Sequence, residues 1–388
     1  MSTPNHQEAM ALDPGKSRIK ELFSSFVGNN CDIKYIKAPG IRFVGPQPDD
    51  DELHQALLSG NRQVRSAPAR KLKKIFLRWQ FNWYCQAIAA QRGSMALVWN
   101  GLKGHKRLFA HAARQMGRQV FFFELAPLPG RISVDPHGVN AGCSIPKNIQ
   151  FYDEWYRNHS LHNKLFDTER RALKPRAATR NDWVKHNSAG PQLKGEKYLF
   201  CPLQVPGDTQ LTVYGDWVRS VDYFVEVLKR AAHALPDGWH LRLKEHPSAS
   251  ERLFGRLDVG SDVAIKVDNE TDTLDLVKYS QGVITVNSSV GLQAFFFDKP
   301  VILLGRALFE LPELVHRAKS EGDLTALLRS VENLHVSTRD RRLFLQYLLE
   351  VQFPKRECIV DGKTVCGISS WSSTYGVPEA TQQWGSVI

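Results

Sequence analysis

The segment "RLKEHPS" holds a lysine and a histidine directly after an apolar run. Lys244 and His246 are separated by one residue, so at strand spacing both side chains can point the same way, and Pro247 ends the strand there. An ammonium group beside an imidazole donor suits a phosphate group. The alternative is an exposed strand end on which neither residue binds a ligand.

A second polar segment, "NSS", stands where an apolar strand meets an amphipathic helix. Asn287, Ser288 and Ser289 can donate hydrogen bonds, and a helix N-terminus offers unpaired N–H groups and partial positive charge to an anion. The same residues also serve as ordinary helix caps, and the segment alone does not choose between these roles. Together with Lys244 and His246, it predicts a binding site for one phosphate group.

Two carboxylates follow apolar runs of the same kind. Glu124 ends the run "QVFFFE", where partial desolvation favours the protonated form and suits a general acid or base. Asp208 lies in the glycine-containing turn "QVPGDTQ", which suits an ionised nucleophile. Glycosyl chemistry with retention uses such a pair. The alternatives are a salt bridge between Glu124 and Arg131, and a simple Asx turn at Asp208.

The acidic residues do not indicate a metal site. Many transferases that use nucleoside diphosphate sugars hold a metal ion with paired carboxylates, but the dense acidic run here, "PDDDEL", adjoins a predicted helix start. Helix capping and pairing with the helix dipole explain acids at that position. The sequence therefore predicts a site without a metal ion and a leaving group with a single phosphate.

Alternating strands and helices are predicted to position these segments. Apolar runs at 95–99 and 119–124 enclose a predicted helix at 105–117, which is the strand–helix–strand unit of parallel sheets. A second alternating series begins near Lys197. Because such folds bind ligands at the carboxyl ends of their strands, the polar segments predict a cleft. The predicted strands of the second series are 198–205, 239–244, 263–267, 282–286 and 300–305.

The length of 388 residues favours an α/β protein with two domains. Residues 1–30 are polar, with Pro and Gly, and are predicted to be a loose N-terminal segment, whereas 41–45 is a predicted short strand. The predicted domains are 31–190 and 191–335, followed by a C-terminal helix and tail at 336–388.

The net charge is +11 and is unevenly spread, since no acidic residue lies between Glu52 and Glu124. A long basic amphipathic helix is predicted at 67–91, with Trp79 and Trp83 among its cations. The positive electrostatic field of such a segment favours an anionic partner: nucleic acid, an anionic membrane face or a charged substrate. No nucleic-acid-binding signature accompanies the charge, so no nucleic-acid partner is expected. The alternative is a helix that packs on the core with its basic side in water.

Targeting and cysteine patterns favour the cytoplasm. The chain shows no N-terminal signal pattern and no window of about eighteen uninterrupted apolar residues. Its six cysteines are scattered, without a C-x-x-C pair. We therefore expect reduced thiols in a cytoplasmic protein, with the inner face of the cytoplasmic membrane as a peripheral location.

Four motifs, occurring in the same order, resemble the bacterial capsule polysaccharide biosynthesis and export proteins of the KpsS and KpsC type, which are retaining β-Kdo glycosyltransferases. The resemblance runs from Leu97 to Glu310. It implies two Rossmann-like domains resembling the GT-B fold, with an inter-domain cleft, 31–190 on the acceptor side and 191–335 on the nucleotide-sugar side. The motifs are "FFFELAPLPGRISVDPHGVN", "LQVPGDTQ", "LRLKEHP" and "TVNSSVGLQAFFFDKPVILLGRALFE".

The resemblance also implies residue roles. Asp208 would be the nucleophile, and Glu124 the acid/base for the acceptor hydroxyl. Weaker candidates for the Kdo carboxylate or the acceptor are Arg131, Asn140 and Lys103. The residues expected to bind the donor CMP-Kdo are His246, Ser288, Ser289, Lys244, Asn287 and Gln204.

No metal or other cofactor is expected from the resemblance. The implied partners are a nucleotide sugar donor, an anionic lipid-linked or glycan acceptor, the inner-membrane surface and polysaccharide assembly machinery.

Two other functions compete with this one. The chain could be a non-catalytic component of polysaccharide assembly or export, although the joint presence of Asp208, Glu124 and His246 argues against that. It could instead use another CMP-sugar, such as CMP-sialic acid, because the identity of the sugar rests on the resemblance alone.

Overall fold

The computed structural model describes residues 7–28, 31–37, 40–60, 64, 66–158, 165–173, 190–247, 249, 264–360 and 363–365. The chain divides into two compact units, which we call unit 1 and unit 2. Unit 1 comprises Met1–Ala126, Gly130–Ile145 and Glu350–Ile388, and unit 2 comprises Pro127–Pro129 and Pro146–Leu349.

Strands and helices are numbered in chain order. The strands are β1 (Gln7–Leu12), β2 (Cys31–Ile36), β3 (Met95–Trp99), β4 (Gln119–Leu125), β5 (Ile132–Asp135), β6 (Lys197–Pro202), β7 (Trp239–Lys244), β8 (Ile265–Val267), β9 (Gly282–Thr285), β10 (Val301–Leu303), β11 (His316–Arg317), β12 (Cys358–Val360) and β13 (Lys363–Val365). The helices are α1 (Ser17–Val27), α2 (Asp50–Leu58), α3 (Ala67–Ala89), α4 (Gly104–Gln115), α5 (Ile149–Asn158), α6 (Leu165–Ala172), α7 (Gly190–Leu193), α8 (Thr209–Tyr214), α9 (Val221–Ala232), α10 (Thr273–Tyr279), α11 (Ser289–Ala294), α12 (Glu321–Arg329) and α13 (Thr338–Tyr347).

Unit 1 is built on a five-stranded sheet in the order β2-β1-β3-β4-β5. Strands β1 to β4 are parallel, and β5 pairs antiparallel with β4. Helix α1 covers this sheet through Phe23, whose ring centroid lies 4.8 Å from that of Phe123, and through Phe26, 5.1 Å from Phe121. These aromatic contacts anchor the N-terminal helix to the strand that carries Glu124.

The prediction that residues 1–30 are loose is wrong for the described part of that segment. β1 lies between β2 and β3 in the sheet, and its residues Ala9, Met10 and Ala11 are buried. The sequence analysis did not predict this strand because alanine has a low β propensity. In addition, a strand that is buried on both faces lacks the alternation of apolar and polar residues.

The short strand predicted at 41–45 is also absent from the described structure, where this stretch is irregular. Its backbone is held by α3 instead, since the Arg42 N–H donates to the Trp79 carbonyl at 3.1 Å. The ring of Phe43 packs edge-on against Trp79. The apolar residues that suggested a strand therefore contact a helix rather than a neighbouring strand.

Unit 2 contains a six-stranded, fully parallel sheet in the order β11-β10-β9-β6-β7-β8. Its core is formed by the buried faces of β6, β7, β9 and β10 against α9 and α12. The predicted α/β class with two parallel-sheet domains is thus confirmed. The parallel arrangement also places the ends of β6, β7 and β9, which are direct neighbours, at one edge.

The division between the units differs from the predicted domain boundaries. Residues 146–190, which were predicted to belong to the first domain, fall in unit 2, and the chain returns to unit 1 after Leu349. The returning segment binds beside β5: the Ile132 N–H donates to the Pro354 carbonyl at 3.0 Å, and the Arg356 N–H to the Gly130 carbonyl at 2.8 Å. Most of the predicted C-terminal tail, 366–388, lies outside the described residues.

Candidate functional site

The candidate donor-binding residues of unit 2 lie at the carboxyl ends of three neighbouring strands. Gln204 and Asp208 follow β6, His246 follows β7, and Ser288 follows β9. Because β6 pairs with both β7 and β9 in parallel, these three loops leave the same edge of the sheet. The structure therefore brings together the segments that the sequence singled out, at the edge where open parallel sheets bind ligands.

A buried hydrogen-bond network joins two of these loops. Gln204 Nε2 donates to Asn287 Oδ1 at 2.9 Å, and Asn287 Nδ2 donates to the Gln210 carbonyl at 2.8 Å. Gln204 and Asn287 are only 8% and 5% exposed. Both amides are therefore engaged in fixing the loop after β6 against the loop after β9, which supports a positioning role beside a ligand.

Asp208 begins helix α8. Its Oδ1 accepts a hydrogen bond from the Gln210 N–H at 2.9 Å, so the capping alternative considered for this residue is present. Gly207 precedes it with φ +75°, a backbone conformation that glycine adopts without strain. Among the described residues, Oδ2 of this half-buried carboxylate receives no hydrogen bond. One oxygen is thus held by the helix while the other keeps its acceptor capacity.

Loss of the Gln204 amide should destabilise unit 2. Gln204→Ala leaves the buried Asn287 Oδ1 without its donor, and we expect a loss of about 1–3 kcal/mol in the free energy of unfolding. Urea unfolding followed by circular dichroism measures this loss. Gln281→Ala, at an exposed position of unit 2, is the control and should change the free energy by less than about 0.5 kcal/mol. Equal effects of the two substitutions would contradict the importance of the network.

Lys244 is buried at the end of β7, with 3% of its surface exposed. Its ammonium donates to the carbonyls of Thr271 at 2.5 Å and Asn269 at 3.2 Å. Burial lowers the pKa of Lys244 to about 8, although Asp268 and Asp272 oppose this shift. The lysine therefore ties β7 to the loop before α10, and its predicted contact with a phosphate stays a prediction.

His246 lies beyond the end of its strand. β7 stops at Lys244, and the side chain of Asn269 replaces the next strand contact by accepting from the Glu245 N–H at 2.9 Å. The strand spacing from which a common direction of Lys244 and His246 was predicted therefore does not extend to the histidine. His246 is half-buried, unlike the lysine.

Ser288 is the N-cap of α11. Its Oγ accepts from the Val290 N–H at 3.3 Å, and its own N–H donates to Thr285 Oγ1 at 2.9 Å. Ser289, the first residue of the helix, is exposed. The capping role proposed as the alternative is therefore present, and a phosphate contact by either hydroxyl stays a prediction.

Glu124 is held at the end of β4 in unit 1. Its Oε2 accepts from Asn100 Nδ2, and its Oε1 accepts from the Leu125 N–H at 2.9 Å. Asn100 has φ +68°, and its Oδ1 accepts from the Leu102 N–H at 3.1 Å. This asparagine therefore stabilises its own turn and orients the carboxylate. The sequence analysis did not single out Asn100; the signal that could have found it is the Asn-Gly pair directly after a buried strand.

Lys106 of α4 lies within electrostatic reach of this carboxylate. Lys103 stands at the N-cap position of α4, one turn before Lys106. Burial lowers the pKa of Lys106, the charge of Glu124 opposes that shift, and the charge of Lys103 reinforces it. Lys103 thus lies within electrostatic reach of Lys106, and its predicted contact with the Kdo carboxylate or the acceptor stays a prediction.

The other two weaker candidates have structural contacts. Arg131 is 4% exposed, and its Nη1 donates to the Phe353 carbonyl at 2.6 Å, which ties β5 to the returning C-terminal segment. Asn140 has φ +57° and opens a short 3-10 turn. Their predicted contacts with the Kdo carboxylate or the acceptor stay predictions.

Asp135, which the sequence did not single out, organises the loop that carries Asn140. This carboxylate is fully buried and accepts from the N–H groups of His137 at 2.8 Å and Gly138 at 3.0 Å. It also accepts from the N–H and the hydroxyl of Ser144, at 2.9 and 2.7 Å. Burial raises the pKa of Asp135, and these donors oppose the shift. The loop from 136 to 144 is thus wrapped around one carboxylate.

Among the described residues, no group of three or more His, Cys, Asp or Glu side chains is arranged to hold a metal ion. None of the described helices is both long and apolar enough to cross a membrane.

Known proteins resemble the chain in sequence. Protein FixF of Sinorhizobium fredii is 29% identical over 66% of this chain and 58% of its own length. The capsule polysaccharide export protein KpsS of Escherichia coli is 24% identical over 53% of this chain and 65% of its own length. The capsule polysaccharide modification protein LipB of Neisseria meningitidis is 26% identical over 50% of this chain and 52% of its own length. The chain thus matches between half and two thirds of the length of these relatives.

Solved structures resemble the fold. Two structures of KpsC from Thermosulfurimonas dismutans, described as a beta Kdo 2,4 transferase and a beta Kdo 2,7 transferase, superpose with TM-scores of 0.52 and 0.50. Each alignment covers 96% of this chain and at least 99% of the other, at 15% and 14% identity. At that identity, the likeness shows a shared fold.

The family model described as "Capsule polysaccharide biosynthesis protein" matches residues 153–348. This range is half of the chain, falls within unit 2, and contains Asp208, His246 and Ser288. On this match, the chain belongs to the capsule polysaccharide biosynthesis protein family.

Proposed function

We propose that the protein is a glycosyltransferase that takes Kdo from CMP-Kdo and transfers it, with retention, to a lipid-linked or growing glycan in the synthesis of a surface polysaccharide. The observation that carries the proposal is the arrangement around Asp208. One oxygen of this carboxylate caps α8, and a buried amide network holds its loop against that of Ser288. Membership of the capsule family and the fold shared with the KpsC transferases support this assignment.

In the first step, Asp208 Oδ2 attacks the anomeric carbon of Kdo. The bond from that carbon to the phosphate oxygen breaks, its electron pair leaves with CMP, and a covalent Kdo–Asp208 ester forms. In the second step, an acceptor hydroxyl attacks the same carbon, Glu124 takes the hydroxyl proton, and the Asp208 carboxylate is released. Two inversions give net retention, the outcome expected for a nucleophilic carboxylate paired with an acid/base.

The donor phosphate is assigned to His246, Ser288 and Ser289, with Lys244, Asn287 and Gln204 holding the loops that present them. An imidazolium and hydroxyl donors suit a single phosphate group that leaves as CMP. The lysine at the base of this edge adds positive charge when protonated, although its ammonium is bonded to two backbone carbonyls. We assign the leaving-group charge to these side chains rather than to a metal ion.

The function is tested by mixing the purified chain with CMP-Kdo and a Kdo-bearing glycan acceptor. We expect release of CMP and an acceptor that is one Kdo heavier, with a β-linkage by NMR. EDTA should leave the rate unchanged if the transfer is independent of metal ions. CMP-sialic acid in place of CMP-Kdo tests the alternative donor. Binding of CMP without turnover of either donor would instead favour the non-catalytic assembly or export component.

The acceptor of this reaction fits a protein at the inner face of the cytoplasmic membrane. Lipid-linked glycans are held in the bilayer, so an enzyme that extends them has to work at its surface. We therefore include peripheral membrane association in the proposal, together with contact to polysaccharide assembly machinery.

A further inference from the structure

Helix α3 of unit 1 has two apolar faces rather than one. The face that packs into the core carries residues at the spacing i, i+4, i+7 and i+11, namely Leu77, Phe81, Tyr84 and Ile88. A second set repeats the same spacing about 140° around the helix, away from that buried face. Its members are Leu72, Phe76, Trp79 and Trp83.

The loop of residues 40–45 lies over the second half of this outer stripe. The Arg42 N–H donates to the Trp79 carbonyl, and the Phe43 ring centroid lies 4.7 Å from that of Trp79. Gly40 sits so close to Trp83 that an added Cβ would lie 2.5 Å from the indole nitrogen. The loop is therefore held on α3 by specific contacts, although it forms no strand.

This loop does not shield the apolar stripe from water but extends it. Phe43 is 70% exposed and Val44 is 77% exposed, while on the helix Leu72 is 68% and Phe76 is 41% exposed. We call Ile41, Phe43, Val44, Leu72 and Phe76 the apolar patch. The patch is continuous: Phe43 of the loop contacts Trp79 of the helix, and Trp79, Phe76 and Leu72 follow one another at helical spacing.

Basic side chains border the apolar patch. Lys71 and Lys73 stand about 100° to either side of Leu72 on the helix, and Lys71 is exposed. Arg42, within the loop of residues 40–45, is exposed as well. Arg78 pairs with Asp50 at 3.2 Å, which is an ion pair between two largely exposed groups. No acidic residue occurs in α3 itself. The patch therefore combines exposed aliphatic and aromatic groups with a cationic border.

We propose that the apolar patch and its basic border dock unit 1 onto an anionic lipid bilayer. Apolar side chains would enter the acyl boundary, while the lysine and arginine groups would contact lipid phosphates. This inference rests on the membrane location in the proposed function and names the surface responsible for it.

The charge distribution favours lipid over other occupants. In a symmetric dimer formed through this face, the cationic borders of the two copies would meet each other, which is unfavourable. Binding to nucleic acid would use the cations, but it would leave exposed aliphatic residues such as Leu72 and Val44 without a role. An anionic bilayer can take up the apolar side chains in its acyl region and bind the cations through its phosphates.

Vesicle sedimentation with the full chain tests the proposal. The chain should sediment with vesicles of phosphatidylcholine and phosphatidylglycerol and much less with phosphatidylcholine alone, and salt should weaken the binding. Leu72→Gln with Phe76→Gln should lower the vesicle partition coefficient at least about tenfold, because the inserted apolar groups are lost. Lys71→Gln with Lys73→Gln should lower it and also reduce its dependence on salt.

Matched controls lie on unit 2. Tyr223→Gln on α9 removes an aromatic ring that is 42% exposed, and Arg329→Gln on α12 removes an exposed cation, and neither should change vesicle binding. Equal binding to both vesicle types, unchanged binding of the patch variants, or loss of a dimer in those variants would overturn the proposal. So would binding to duplex DNA that is stronger than binding to the anionic vesicles. Transfer to a water-soluble acceptor should survive in the patch variants, so failure of membrane docking is distinguishable from failure of the glycosyltransferase assignment.

Discussion

Replacing Asp208 by asparagine should lower glycosyl transfer by at least about a thousandfold while leaving the fold intact. The amide oxygen of asparagine can accept the hydrogen bond that Oδ1 now accepts from the Gln210 N–H, and asparagine is as good an N-cap as aspartate. The amide is not a competent nucleophile, so the first displacement cannot occur. This substitution therefore separates the two roles that the structure allows for Asp208.

Measurement of the intact mass of the protein tests the role of Asp208 as nucleophile without an acceptor. The unchanged chain mixed with CMP-Kdo should gain the mass of one Kdo residue, and Asp208→Asn should gain none. Asp208→Ala also removes the cap, at a cost of about 1 kcal/mol, and so confounds stability with chemistry. Asp49→Asn is the matched control, because Asp49 caps α2 in the same manner by accepting from the Asp51 N–H at 2.8 Å. Transfer by Asp208→Asn at the rate of the control would exclude the nucleophile assignment.

The edge of the sheet that carries the site could be predicted from the sequence. β7 begins and ends at the predicted residues, and β6 and β9 begin within one residue of their predicted starts. These strands could be predicted because each is an apolar run closed by Pro, Gly or Asn. Parallel pairing of these strands then follows from the helices between them. The convergence of the loops that carry Asp208, His246 and Ser288 thus follows from local patterns.

The partners of individual side chains could not be predicted, because they come from distant parts of the chain. Lys244 looked like a phosphate ligand, yet its ammonium binds carbonyls in a loop 25 and 27 residues away. Arg131 looked accessible beside Glu124, yet it donates to a carbonyl 222 residues away. Local spacing carries no information on such contacts, which depend on how the segments pack.

The Gln204–Asn287 network shows the same limit. Both residues were expected to bind the donor, and both stand at the carboxyl-end edge of the unit 2 sheet. Their amides bond to one another across 83 positions of sequence, so each satisfies the buried partner. Residue type and strand position therefore predict which edge of the sheet these residues occupy, whereas their hydrogen-bond partners depend on how the segments pack.

Replacing Glu124 by glutamine should slow transfer to the acceptor about a hundredfold to ten-thousandfold. Glutamine has the same shape and keeps an oxygen that can accept from Asn100 Nδ2, so the turn after β3 should persist. It cannot take the proton of the acceptor hydroxyl, which is needed only in the second displacement. Formation of the Kdo adduct on Asp208 should therefore proceed, and the adduct should accumulate because its discharge is slow.

Rapid mixing with CMP-Kdo distinguishes the two carboxylates. Glu124→Gln should release one CMP per chain in a burst and then stall, whereas Asp208→Asn should show no burst. Loss of the burst in both variants would mean that Glu124 does not act as the acceptor base.

Asn100→Asp supplies the companion test, because it places a second carboxylate where the amide now donates to Glu124 Oε2. Repulsion between the two carboxylates should raise the pKa of Glu124, since like charges disfavour ionisation. Glu124 must be ionised to accept the proton, so the rise of kcat with increasing pH should shift to higher pH in this variant. Asn333→Asp, which adds the same charge to unit 2, should leave the profile in place. An unshifted profile in Asn100→Asp would show that Glu124 does not titrate in the rate-limiting step.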